Sequence, residues 1–212
     1  MAYRPTEKTK ARRAAQHEHL LRTALAIVAK EGFQGLTISA VAQEANVATG
    51  TLYKYFDSKA ALCTEVFKLA TEKEVNKVQQ AAFPAPTSQP LPCRQRLINA
   101  ITTFAQRAIQ ARKLAYALIA EPVDPMVDTQ RLVYRQAYAD IYSELIAEGI
   151  KAKEFPMQSP AVSSAALVGV IAETLIAPLG RDQQPPLDME GEQKLINDIK
   201  QFCLRAVTGL PT

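Results

Sequence analysis

The chain has 212 residues, 48% of them hydrophobic, with a formal net charge of +4 and a mean hydropathy of −0.09. That length suffices for one large or two small apolar cores, and no run of about 18 apolar residues marks a membrane span. The three cysteines, Cys63, Cys93 and Cys203, are odd in number and irregular in spacing, a reduced, cytoplasmic pattern with no legible zinc site or disulfide framework.

The N-terminal stretch MAYRPTEKTKARR is basic but has no apolar run behind it, so it does not read as a secretory signal. Residues 1–59 hold nine Lys/Arg against five Asp/Glu, and residues 60–212 hold sixteen of each, so the whole excess of +4 lies in the first segment. A basic end beside a neutral body is the electrostatic footprint of a nucleic-acid contact. Arg4, Lys8, Lys10, Arg12 and Arg13 form an arm suited to phosphates or a minor groove, and a solvated tail fits the same residues.

No proline occurs between Pro5 and Pro84, and four helices fit there. The first is predicted over Lys8–Glu31, with Leu20, Ala24, Ile27 and Val28 as its core stripe and Gly32 as its stop. The stretch TISAVAQEANVATGTLYKYFDSK, from Thr37 to Lys59, then reads as two short helices joined by a tight turn. Thr37 or Ser39 caps the first of these, whose apolar side carries Ile38, Val41, Ala42 and Ala45. Asn46 occupies the reversal, where a left-handed backbone is needed. Thr49 is the predicted cap of the second short helix, and Leu52 and Phe56 turn inward. Thr49, Gly50, Thr51, Tyr53, Lys54 and Tyr55 then face outward, a small, hydroxyl-bearing and cationic surface suited to a DNA groove. Ser58 caps a new helix with Lys59 in its first turn, where a phosphate meets the lysine and free backbone N–H groups.

This stretch resembles the DNA-binding motif of the tetracycline-repressor-like (TetR) family of bacterial regulators. The resemblance is carried by Thr37, Val41, Ala42, Ala45, Val47, Gly50, Leu52, Tyr53, Tyr55, Phe56 and Lys59. The family usually has glycine where this chain has Asn46, a departure the turn chemistry tolerates. A helix-turn-helix used only for packing is the alternative, since helical hairpins are common.

The next helix is predicted over Lys59–Ala82, with Leu62, Val66, Leu69 and Ala70 inward. Its polar second half, TEKEVNKVQQ, suits an exposed connector between two modules. Four prolines make Phe83–Cys93 a loop. Helices follow over Arg94–Gln110 and Arg112–Ala120, then an EPVDP turn, a long helix over Val127–Glu148 ending at Gly149, and helices over Ala161–Ala177 and Glu192–Thr208 stopped by Gly180 and Gly209. No strand pattern is present, so the fold class is all-α with about nine helices.

Nearly every residue of Ala161–Ala172 is small or apolar, and Leu195, Ile199, Phe202 and Ala206 form a stripe on the last helix. Both patterns fit either a subunit interface or this chain's own core; in the family resembled, the equivalent pair forms a four-helix bundle with a two-fold mate. Tyr134, Tyr138 and Tyr142 recur at four-residue spacing on the long helix, and Phe104, Tyr116 and Met126 are placed to converge with them on a small-molecule pocket. The same tyrosines also fit a core edge. Arg107 and Arg131 or Arg135 are candidates for a ligand carboxylate. Glu173, the only charge between Ala161 and Leu179, suits a cross-subunit pair or a ligand contact.

Enzyme readings lack support, since His17 and His19 point to nearly opposite sides of their helix and no nucleotide-binding, zinc-protease or hydrolase motif appears. No cofactor or metal is implied. The resemblance implies a cytoplasmic homodimer, paired through its last two helices, with a helix-turn-helix domain over residues 1–60. Residues 61–212 would form a ligand-binding and dimerisation domain, with 59–82 as the connector helix. It implies a repressor released from a palindromic DNA operator by a small-molecule effector, with no membrane partner. A ligand-independent architectural or activator protein, and a helical binding or enzymatic protein without DNA contact, are the alternatives.

Overall fold

The computed structural model describes residues 6–85, 90–180 and 187–209. Arg4 of the basic arm and residues 86–89 of the proline-rich loop lie outside them. Among the described residues the secondary structure is nine helices with no strand: α1 Glu7–Gly35, α2 Ile38–Glu44, α3 Thr49–Leu52, α4 Lys59–Ala82, α5 Cys93–Gln110, α6 Arg112–Ile119, α7 Pro125–Lys151, α8 Pro160–Gly180 and α9 Met189–Thr208. The chain is all-α.

Local chemistry explains most of the boundaries. The Thr37 hydroxyl accepts from the Ala40 N–H at 3.0 Å and the Ser58 hydroxyl from Ala61 N–H at 3.0 Å, opening α2 and α4. Asp124 accepts from Met126 N–H at 2.9 Å, and Pro125 supplies the preset φ of a first helical residue, so α7 starts inside the expected EPVDP turn. Gly209, in the left-handed region, closes α9. Gly32 has φ 75° and interrupts the regular course of α1, which resumes only for the turn Phe33–Gly35. Asp188 starts α9 by accepting from Gly191 N–H at 2.8 Å.

Two apolar cores result. The first gathers Leu20, Ala24, Val28, Phe33, Val41, Leu52, Phe56, Leu62 and Phe67 from α1 to α4, and it reaches into the second half of the chain for Ala117, Leu118 and Val127. The second fills the space between α5, α7, α8 and α9 around Leu97, Ile101, Tyr142, Leu145, Ile146, Ile171, Leu175 and Cys203.

Three expectations change. The polar half of α4 is no exposed connector: Thr71, Val78 and Ala82 are buried, and Val78 and Ala82 belong to the second core. Gly149 does not stop α7, which continues to Lys151; the Phe155 ring lies against it, 2.1 Å from where a Cβ would stand. Ala48, not Thr49, is the cap residue of α3, and no side chain caps it. Among the described residues, α8 has the length and mean hydropathy (1.8) of a membrane span, though serines and Glu173 interrupt it and part of it is buried against the other helices. Its small alanines and glycine raise the average without forming a continuous apolar run.

Candidate nucleic-acid interface and effector cavity

The helix-turn-helix is held from inside. Asn46 adopts φ 52°, Val47 N–H donates to Ala42 O at 2.9 Å, and Leu52 and Phe56 are fully buried beneath α3. Thr49, Gly50, Tyr53 and Lys54 are thereby left exposed, with Thr51 half-buried beside them. Gly50 is informative because a Cβ there would meet nothing within 4 Å. Glycine inside a helix costs about 1 kcal/mol relative to alanine, and no packing need in this chain explains that cost. A surface that must approach another molecule's backbone closely does explain it.

Arg12, Arg13 and Lys54 line a groove between α1 and α3, next to Thr51 and Tyr55. Arg13 donates to the Lys54 carbonyl at 3.3 Å and lies 5.9 Å from the Tyr55 ring centre. Tyr55 is therefore half-buried against α1, where His17 also stacks on Phe56 at 5.0 Å, and does not face outward with its neighbours. Thr37 spends its hydroxyl on the α2 cap, Ser39 is exposed, and Lys59 stands exposed at the first residue of α4. The arrangement presents hydroxyls, cations and one bare backbone position on a single face.

The second feature is a cavity of about 80 Å³, open to solvent at its mouth, between α4, α5, α6, α7 and α8. Phe104, Tyr134 and Tyr138 line it, and the Phe104 and Tyr138 rings meet edge to face at 4.9 Å. Its wall is mainly apolar, with Phe67, Val78, Leu114, Leu118, Val168 and Ala172 in contact with the space. Sequence reasoning missed Phe67, Thr71 and Glu74, because α4 was read there as a connector.

The polar groups of the wall are mostly committed. Arg107 donates twice to the Glu74 carboxylate, at 2.5 and 2.8 Å, and this pairing raises its pKa against the opposing effect of burial. Arg131 pairs with Asp128 and donates to the carbonyls of Leu118 at 3.0 Å, Glu121 at 2.8 Å and Ala117 at 3.3 Å. Burial pulls the Arg131 pKa down. Tyr134 donates to Glu72 on α4 at 2.8 Å, and burial first, then that bond, keeps its hydroxyl protonated well above the usual range. Burial does the same for Tyr138. Among the described residues Arg135, exposed at the mouth, is the lining cation without a bonded partner.

Four expected pocket residues lie elsewhere. Tyr142 is fully buried in the second core, where its hydroxyl has no partner among the described residues. Met126 is 51% exposed in the first turn of α7, Tyr116 packs its ring against Gly180, and Glu173 is exposed on α8. None of the four lines the cavity.

An exposed helix-turn-helix beside a helical body that encloses an apolar cavity defines the class of protein. Residues 20–66, which hold the helix-turn-helix, match the family described as bacterial regulatory proteins, tetR family. It is similar to the HTH-type transcriptional repressor KstR of Rhodococcus jostii (strain RHA1), 33% identical over 92 residues, which are 43% of this chain and 42% of that protein. It is also similar to the KstR repressor of Mycolicibacterium smegmatis (strain ATCC 700084 / mc(2)155), 36% identical over 99 residues, 47% of this chain and 46% of that protein. The match thus spans less than half the length of these curated relatives. Among solved structures, the transcriptional regulator FadR from Bacillus subtilis in complex with stearoyl-CoA aligns at a TM-score of 0.72 and 19% identity, over 90% of this chain and 98% of that one.

Proposed function

We propose that the protein is a DNA-binding transcriptional repressor, released from its operator when an apolar small molecule occupies the cavity. The observation that carries the DNA reading is Gly50, a helix glycine on an exposed face with open space around it. In this reading Thr49, Gly50, Thr51 and Tyr53 approach the groove, Ser39 and the Thr37 end of α2 flank it, and Arg12, Arg13, Lys54 and Lys59 take phosphates. Tyr55 supports the groove by holding Arg13. Repression is the activity named for these curated relatives.

The effector reading rests on the cavity's chemistry. Its walls suit a chain or ring of hydrocarbon, and Arg135 suits an anionic group held at the mouth. The FadR structure contains an acyl thioester of coenzyme A, which combines those two features, so stearoyl-CoA is the first probe to use.

Dimerisation is supported by α8 and α9. Val162, Ala165, Ala166, Gly169 and Glu173 recur at helical spacing on the exposed side of α8, Val162 being 69% exposed, while Phe202 is 53% exposed on α9. Gly169 again has nothing within 4 Å of a Cβ. A two-fold mate packed there would cover this face and place two α3 helices for paired half-sites. Residues 1–60 then read DNA, residues 61–212 hold the effector and the mate, and α4 joins them; the work is done in the cytoplasm and involves no catalysis.

The test is selection of bound duplexes from random DNA with the purified chain, followed by titration of the selected complex with stearoyl-CoA. Enrichment of an inverted repeat and its release by the probe are expected. Binding without sequence preference would overturn the repressor reading, and an unreleased complex would remove long-chain thioesters from the effector class.

A further inference from the structure

The interruption of α1 at Gly32 has a partner far away in the chain. The backbone there turns to φ 75°, and the two amides that follow find a carboxylate instead of helix carbonyls. Glu121, between α6 and α7, accepts from Phe33 N–H at 2.9 Å through Oε2 and from Gln34 N–H at 2.9 Å through Oε1, and it is only 5% exposed. A Cβ on residue 32 would stand 2.7 Å from Oε2, so the glycine serves both the turn and the close approach. A buried carboxylate with both oxygens satisfied by backbone amides is a strong tie, because these bonds are charge-assisted.

The other end of this tie is the cavity wall. The Glu121 carbonyl accepts from Arg131, which also gathers the carbonyls of Ala117 and Leu118 at the end of α6. Arg131 and Leu118 line the cavity. A second path reaches the same turn through rings: Tyr134 meets Phe67 at 5.9 Å, and Phe67 meets Phe33 at 6.4 Å. Both cavity-lining routes therefore end at Phe33, four residues before the Thr37 cap that starts the helix-turn-helix.

We infer that Glu121 is a positioning residue for DNA reading: it fixes the α1–α2 turn to the end of α6, so that filling the cavity moves the helix-turn-helix through this carboxylate. The inference rests on the regulatory reading above. A ligand that spreads α6 from α7 strains the Arg131 bonds to the α6 carbonyls, and the strain reaches the Phe33 and Gln34 amides one residue away. Glu121 touches neither DNA nor the cavity contents, and acts through the turn.

The experiment uses the full chain and three variants: Glu121→Gln, which keeps the size but sets an amide NH2 donor against one of the two N–H groups; Ala172→Phe, which fills the cavity without a ligand; and their combination. Val168→Phe replaces Ala172→Phe if that chain does not fold. Affinity for the duplex selected by the parent chain and hydrogen exchange of the Phe33 and Gln34 amides are measured on each. Glu121→Gln is expected to weaken the duplex about tenfold, the scale of losing charge-assisted bonds, and to speed exchange at those two amides while α5 and α8 amides keep their rates. Ala172→Phe is expected to weaken the duplex and speed the same amides in the parent chain, yet to add less than about twofold on top of Glu121→Gln, as coupled sites do. Equal loss from Ala172→Phe in both backgrounds, unchanged affinity in Glu121→Gln, or unmoved Phe33 and Gln34 exchange in Ala172→Phe would each overturn the inference. A parent chain that selects no DNA would instead refute the regulatory reading, and the exchange measurement would still decide whether the cavity acts on this turn.

Discussion

The surface around α3 and the interior of the cavity-bearing body place particular cations and glycines differently. In the body three arginines are locked into the fold: Arg96 holds Glu148 at 2.6 Å, Arg107 holds Glu74, and Arg131 holds Asp128 with three carbonyls. Two of its glycines serve as seats for rings, Gly149 for Phe155 and Gly180 for Tyr116. Around α3 the pattern reverses. Among the described residues Arg12, Lys54 and Lys59 have no ion-pair partner, and Gly50 seats nothing.

Breaking the body should cost stability first. Tyr142→Ala is expected to destabilise the fold by about 3–5 kcal/mol, as large aromatic truncations do, and to lower the melting temperature accordingly. Because the Tyr142 hydroxyl lacks a partner among the described residues, Tyr142→Phe should keep or raise that temperature; a large loss in Tyr142→Phe would show the hydroxyl to be bonded. Gly149→Ala comes next. A Cβ placed 2.1 Å from the Phe155 ring forces the ring aside, and urea unfolding should show a loss of about 1–3 kcal/mol.

Changes on the reading surface should spare stability and show in DNA binding. Lys59→Ala should leave the melting temperature within error and lower the magnitude of the log–log salt slope of duplex binding by about one unit. An unchanged slope would remove Lys59 from the interface. The smallest effect is expected from thiol chemistry. All three cysteines are buried, burial holds their thiols above the ordinary value, and that of Cys203 is pushed up to about 12. Iodoacetamide at neutral pH should therefore modify the folded chain far more slowly than the unfolded one. By linkage, the Cys203 contribution to stability is fully present below the ordinary thiol pKa and is lost as pH rises from there toward about 12, since the unfolded chain gives up the proton first.

What the sequence conveyed depended on how local each signal was. Thr37, Asn46 and Ser58 act within three residues of themselves, so the start, turn and exit of the helix-turn-helix were legible, and they stand as expected. The helices of the body were legible too, within a few residues. The cavity was not. Successive tyrosines on α7 drift about 40° around the helix for every four residues, which leaves Tyr134 and Tyr138 on the cavity and carries Tyr142 into the core. Glu74 made α4 look solvent-bound because Arg107, its partner, lies 33 positions away. Glu121 and Glu154 gave no local sign either: each caps backbone amides 60 or more positions distant, Glu154 those of Cys93 and Arg94, Glu121 those of Phe33 and Gln34.

The contrast between the two regions converges on Gly50. Gly50→Ala removes nothing the chain uses, and alanine favours the helix, so the melting temperature should hold or rise by an amount worth up to about 1 kcal/mol. The measurement is the affinity of this variant for the duplex selected by the parent chain, with its melting temperature taken alongside. A fall of about tenfold or more in affinity at equal or greater stability is the predicted result, because the added methyl group would stand where the DNA backbone must come close. Parental affinity in a chain of parental or greater stability would contradict the assignment of this face to DNA.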